Sequence, residues 1–284
     1  MRGRPDPIEG NRMARAALAS ILASCLAVSS LLAASGGAAQ SSATEAAAVL
    51  APGGALRAAI NFGNPVLAIR DAASGEARGV SVDLARELGR RLGVPVELVL
   101  YSAAGKVVDG LKANAWDVAF VAIDPARAVD VDFTAPYVII EGVYLVPAGS
   151  PIRDNADVDR DGVRIVVGAG SAYDLHLSRE LKHAQLVRAP TSPVVVDTMI
   201  AQKLDAAAGV KQQLEADAKR VGGVRLLEGR FMMIEQAMAT PKGRDAGARY
   251  LAGFVEEMKA SGFVAAALAR HGIAGASIAP PAAR

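Results

Sequence analysis

The chain has 284 residues, with 31 lysines and arginines against 29 acids, 52% hydrophobic residues and only 4% aromatic ones. That length holds one large domain or two ordinary ones with ample core, and the near-neutral charge offers no field to attract nucleic acid or an anionic membrane. A single cysteine, Cys25, excludes a disulfide framework and a cysteine-ligated metal.

The N-terminus comes first in chain order. Residues 13–40, "MARAALASILASCLAVSSLLAASGGAAQ", join a basic start at Arg15 to an apolar run from Ala16 to Ala34 and a small-residue ending. This is the pattern of an export signal, with cleavage expected after Ala39 and Met13 as an alternative start. Serine and cysteine interrupt the run, which disfavours a retained membrane anchor. "LASC" resembles a lipobox ending at Cys25, but the apolar run continues well past it, so lipid anchoring there is the lesser reading. Residues 1–39 hold Arg2, Arg4, Arg12 and Arg15 against Asp6 and Glu9, so a chain beginning at Gln40 is formally neutral. Its histidines, His176, His183 and His271, lack the helix-face pairing of a zinc site.

From residue 55 short apolar runs alternate with segments of helical period. Strands are predicted at 55–60 and 95–100, flanking a helix at 81–93 in which Leu84, Leu88 and Leu92 recur every fourth residue. Ser81 is its expected cap and Gly93 its stop. A helix follows over 105–115 and a buried strand over 116–123. In "AIDPARAVDVDFTAPY" (122–137), Asp124 and Pro125 read as the cap and first position of a short helix. Arg127 is out of place there, because a cation at a helix start opposes the macrodipole. It either pairs with Asp130 or Asp132 or serves an anion from outside.

A second α/β set follows: strand 163–170, helix 171–181, strand 184–189, helix 192–204 and strand 205–210. A strand and turn over 235–243 and an amphipathic helix over 245–262 complete the pattern, and the Ala/Pro-rich tail from 274 is expected to be disordered. Such alternation implies mostly parallel sheets with ligands at the strands' carboxyl ends. Two loops lie there: "AIDPAR" and "GAGSAYD" (168–174). The latter lacks the third glycine of a dinucleotide fingerprint, since Tyr173 stands in its place.

The ordered set "GVSVDLARELGRRLGVPVELV", "LKANAWDVAF", "DPARAVDVDFTAPY", "VGAGSAYD" and "LDAAAGV" resembles the family 3 extracellular solute-binding proteins, the polar amino-acid type of ABC-transporter receptor, from about Leu56 to Gly272. The resemblance implies an α/β, two-lobed periplasmic-binding-protein-like (type II) fold, its two mostly parallel-sheet lobes joined by two crossing strands. Crossings are expected near Ile139–Gly142 and Met232–Ala237. Lobe 1 would be residues 55–139 plus 237–273, lobe 2 residues 142–233, and 274–284 the disordered tail. It further implies a periplasmic monomer that binds a carboxylate-bearing small solute and meets an inner-membrane ABC permease, with no cofactor and no nucleic acid.

The same resemblance places the ligand-carboxylate arginine at Arg127, where a guanidinium fork fits a carboxylate bidentately. It places lobe 2 contacts at Ser171 and Ala172, Ser171 being equally an N-cap. Phe62 stands in for the family's first aromatic and Tyr101 lies near the second, whose own position is Ala103 or Ala104. Ala122 occupies a hydroxyl position. Asn61 and Asn64 either read a polar ligand or shape their loop. The acid that would hold an α-amino group is absent, with Val210 and Lys211 there instead, and an unpartnered buried ammonium is costly. Were Lys211 to face the cleft, it and Arg127 would favour a ligand with two anionic groups or one lacking an amine. Lys211 is equally read as a solvated helix residue. The alternative function is a cyclohexadienyl-dehydratase-like enzyme on the same scaffold, for which Glu141 and Glu235 are the acids to nominate. A sensor module is a third reading, without a kinase or second membrane segment to support it.

Overall fold

The structure is a computed structural model that describes residues 40–283. The expected signal peptide, Met13 and Cys25 lie outside the described residues. Residues 40–50 are helical (α1) and a compact unit begins at Ala46. No helix among the described residues is long and apolar enough to cross a membrane.

Two α/β halves follow one plan. In the first, β1 (Leu56–Asn61), α2 (Val80–Leu92), β4 (Val96–Tyr101), α3 (Ala104–Lys112) and β5 (Val118–Ala122) alternate, and the small hairpin β2 (Ile69–Arg70) and β3 (Ala77–Arg78) precedes α2. The strands lie in the order β4-β1-β5, all parallel. In the second, β8 (Arg164–Gly168), α4 (Ala172–Glu180), β9 (Gln185–Ala189), α5 (Val195–Ala201) and β10 (Ala206–Val210) give the parallel order β9-β8-β10. In each half the first strand is flanked by the other two, so the helices leaving it diverge and open a crevice at the carboxyl ends.

The halves share one sheet through two long strands, β7 (Val138–Pro147) and β12 (Met232–Pro241). These pair antiparallel from Met232↔Gly142 to Gln236↔Val138. Beyond that stretch β12 joins β5, with Gln236↔Ala122, while β7 joins β10, with Val210↔Gly142. Between them run β6 (Val131–Phe133), on β12, and α6 (Lys211–Val221), which leads to β11 (Val224–Leu226) on β7. Helices α7 (Asp245–Ala260) and α8 (Phe263–Arg270) then close the chain back on the first half, where Phe254, Leu268 and the α2 leucines share one core.

Four local expectations change. Helix α2 starts at Val80 after Gly79, whose φ of 132° admits only glycine comfortably, and a Cβ there would collide with the Leu67 carbonyl. Ser81 is thus inside the helix, its hydroxyl hydrogen-bonded to that of the buried Tyr137 at 3.3 Å rather than capping. The segment 192–204 divides into a 3-10 turn from Ser192 to Val194 and the shorter α5. Residues 125–130 form turns, not a helix, because β6 begins at Val131 and leaves no room for helical turns to propagate.

The fourth change is the tail, which is structured: β13 (Ser277–Ile278) adds to β7 at Ile139 and Val138. Ala279 is buried and donates its N–H to the Tyr137 carbonyl, and the Lys259 ammonium donates to the Pro280 carbonyl at 2.8 Å. Two prolines limit the tail's entropy when free, and the open edge of β7 supplies partners. Removing residues 277–284 is expected to cost about 1–2 kcal/mol, read as a drop of roughly 3–6 °C in melting temperature. An unchanged midpoint would show the added strand to be ornamental.

Candidate functional site

The carboxyl ends of β1, β5, β8 and β10 converge. Asn61 ends β1, Ala122 ends β5, Ser171 and Ala172 follow β8, and Val210 ends β10. With Ile234 and Gln236 from β12 they line one cavity, which also takes in Asn64 and Arg127. Its volume is about 30 Å³, a few times the roughly 10–15 Å³ that one water needs. The space is too small for a solute of more than a few atoms, which enters only if the walls move apart.

Arg127 is the cavity's one formal charge. It is 5% exposed and reaches inward from the turn after β5. Its Nη1 donates to the Ala122 carbonyl and its Nη2 to the Gly170 carbonyl, both at 2.8 Å, while Nε is buried with no acceptor. Burial lowers its pKa from 12.5 to about 10, with the nearby Asp124 carboxylate pulling the other way, so the guanidinium stays charged at neutral pH. Neither Asp130 nor Asp132 pairs with it. The reason inferred for its oddity also changes, since without a helix there is no macrodipole to oppose.

The nearby acids are committed elsewhere. Asp124 accepts from the Ala126 N–H at 2.9 Å and pairs with Arg179 at 2.9 Å. Asp174 accepts from the Gly170 N–H at 2.8 Å and pairs with Arg188 at 3.0 Å. Together these fix the two loops that carry Arg127 and Ser171. The Ser171 hydroxyl caps α4 by accepting from the Asp174 N–H at 3.0 Å.

Asn61 shapes its loop by accepting from the Gly63 N–H at 2.9 Å, whereas the Asn64 Oδ1 is buried without a donor. Burial pushes the Tyr173 hydroxyl up to about 12, with the Ser192 and Ser171 hydroxyls beside it pulling the other way.

Three predicted residues lie away from the cavity lining. Tyr101 lies over α3, where Gly110 leaves room for the ring beside Trp116. Phe62 packs at the edge of the main core with the Arg70 guanidinium 5.4 Å above its ring. Lys211 is the first residue of α6 and turns to Glu141 on β7, 2.9 Å away, so it is neither a second cleft cation nor simply solvated. Glu141 also holds Arg230 at 3.0 Å, and Glu235 is exposed on β12. Gln236, Ile234 and Ser192 line the cavity without having been singled out in the sequence. They reach it through strand pairing and through the turn before α5, and no local motif marks them.

The two halves touch closely beside Arg127. Gly170 has φ 68°, and a Cβ on it would lie 2.8 Å from Gly105 Cα at the start of α3. A Cβ on Gly105 would sit at 3.3 Å from the Ala169 carbonyl, which is tight but tolerable, whereas a longer side chain collides with backbone. Gly105→Leu is expected to hold the cleft open and raise the Kd of any ligand at least tenfold, with Gly105→Ala within about threefold of the unchanged protein. Leucine is a better helix former than glycine, so lost helix stability would not explain the effect. Equal affinities in a calorimetric titration would show that closure does not need this contact.

Two α/β halves with crevices at the carboxyl ends of their strands, joined by two antiparallel crossing strands, make the two-lobed type II binding-protein fold. The family model described as bacterial extracellular solute-binding proteins, family 3, matches residues 56–273, and the chain belongs to that family. Solved structures agree. The solute receptor for L-cysteine of Neisseria gonorrhoeae is similar at 25% identity and TM-score 0.69, over 80% of this chain and 93% of that one. An amino acid ABC transporter substrate-binding protein from Streptococcus pneumoniae, bound to L-arginine, has 19% identity and TM-score 0.68, over 80% and 97%. The ancestral amino acid-binding protein AncCDT-1, a precursor of cyclohexadienyl dehydratase, has 21% identity and TM-score 0.66, over 77% and 96%.

Proposed function

We propose that this protein is the exported, periplasmic receptor of an ABC transporter. It closes on a small carboxylate-bearing solute between lobe 1 (residues 55–139 and 237–273) and lobe 2 (142–233), then presents the closed form to an inner-membrane permease. The observation that carries this reading is Arg127, a buried guanidinium in the crevice with no carboxylate partner and one unsatisfied donor. The Nε–Nη2 edge of the fork is the face that takes a carboxylate bidentately. Only the Gly170 carbonyl stands on that edge, so the ligand displaces it while Nη1 remains on Ala122. Opening the cleft and freeing the arginine are then a single motion of the Gly170 turn, as expected of hinge closure around a ligand.

An enzyme reading finds less support. The two acids nominated for elimination do not line the cavity, and among the lining residues there is no carboxylate or histidine to move a proton. A thermal-shift screen of amino acids, dicarboxylates and small organic acids tests the proposal, because a ligand that binds only the folded form raises its midpoint. A rise with at least one carboxylate is expected. No response to any carboxylate, or turnover of prephenate or arogenate, would overturn it.

A further inference from the structure

We infer that the cleft is built for a small hydroxy carboxylate, a ligand carrying a neutral hydroxyl where an amino acid carries its ammonium. The inference rests on the proposed carboxylate site and narrows its substrate class. Arg127 and one carboxylate neutralise each other, and the remainder of the lining carries no charge. An α-ammonium bound there would be left as an uncompensated cation beside a guanidinium, an arrangement that burial penalises heavily. The acids that could have answered it are held by Arg179, Arg188, Lys211 and Arg230.

The polar atoms left unsatisfied match the other description. Arg127 Nε is a donor placed for an anionic oxygen, Asn64 Oδ1 is a buried acceptor that a ligand O–H or N–H can satisfy, and the buried Tyr173 hydroxyl, also without a partner, can donate or accept. A carboxylate with a hydroxyl answers these atoms without adding a charge that the lining leaves unbalanced. The branch with two anionic groups loses its basis, because Lys211 answers Glu141 instead of the cleft. The walls also set the size, since Gly63, Ala104, Ala122 and Ala172 leave room for a compact ligand and Tyr173 is the one aromatic side chain of the lining.

Val210 makes the argument testable from the other side. It is 6% exposed, lines the cavity and is the N-cap of α6 without a side-chain hydrogen bond. Aspartate is favoured at that cap, so Val210→Asp adds a carboxylate to the cleft at a place where helix formation welcomes it.

The experiment is a calorimetric titration of the purified protein with pairs differing only in hydroxyl for ammonium: L-lactate against L-alanine and L-glycerate against L-serine. At least one hydroxy acid is expected to bind no less than about tenfold more tightly than its partner. Val210→Asp should shift that ratio by about tenfold or more toward the amino acid, and Val210→Asn should not. An amino acid that binds as tightly as its hydroxy partner overturns the inference and leaves the carboxylate receptor intact. Binding of other carboxylates but of no hydroxy acid does the same. Silence toward every carboxylate sinks both readings, and an unchanged ratio in Val210→Asp overturns the counter-charge argument.

Discussion

Arg127→Met is expected to remove carboxylate binding while leaving the ligand-free protein about as stable as before. Burial of the guanidinium shifts its pKa from 12.5 to about 10, a penalty of roughly 3 kcal/mol on the charged form at neutral pH. Against that relief stand the two lost bonds to the Ala122 and Gly170 carbonyls, each contributing about 1–1.5 kcal/mol net. The two sides nearly cancel, so the midpoint without ligand should move by no more than a few degrees. Binding has no such compensation. Two charge-assisted bonds to the ligand are lost, and at least roughly 3 kcal/mol, more than a hundredfold in Kd, goes with them. A denaturation curve and a titration on the same variant separate the outcomes. Retained affinity would place the carboxylate elsewhere, and collapse of the ligand-free fold would make Arg127 a structural residue first.

The architecture was legible because each strand's apolar run and each helix's fourfold period are local, and the parallel order follows from their alternation. Arg127 was legible as a misfit. The sequence-based reason for the misfit, a helix start, fails because β6 follows too soon, yet the guanidinium still reaches the crevice through a turn capped by Asp124.

What stayed hidden depends on partners far away in the chain. Gln236 and Ile234 enter the site because β12 pairs with β5 and β7, a register that no local pattern announces. Lys211 leaves the cleft because Val210 pairs with Gly142 and puts Glu141 within reach of its ammonium. The tail's order escaped for the same reason, since an Ala/Pro-rich segment has little structure of its own and takes it from the free edge of β7.

The second large effect lies at the other end of the same strands. Asp117, fully buried just before β5, accepts from the Arg57 main-chain N–H, from its Nε and Nη2 at 2.9 Å, and from Arg244 Nη1 at 2.7 Å. One carboxylate thereby ties the start of β1 to the start of α7, and the Thr240 hydroxyl on β12 donates to its carbonyl at 3.0 Å. Asp117→Asn leaves two arginines without their counter-charge and is expected to cost about 3 kcal/mol, or roughly 6–12 °C in midpoint at pH 7. Ligand affinity should be unchanged, because Asn61 and Ala122 mark the opposite ends of β1 and β5.

The pH dependence supplies the sign. Desolvation pushes the Asp117 carboxyl up, but the Arg57 and Arg244 hydrogen bonds outweigh it and hold the folded value below the ordinary 3.8. Its contribution is therefore complete above about pH 4 and fades as pH falls through the depressed folded value. The gap in midpoint between the unchanged protein and Asp117→Asn should narrow progressively below pH 4 in a series of melts. A gap that stays constant down to pH 3 would mean that the loss comes from shape or packing rather than from the charge.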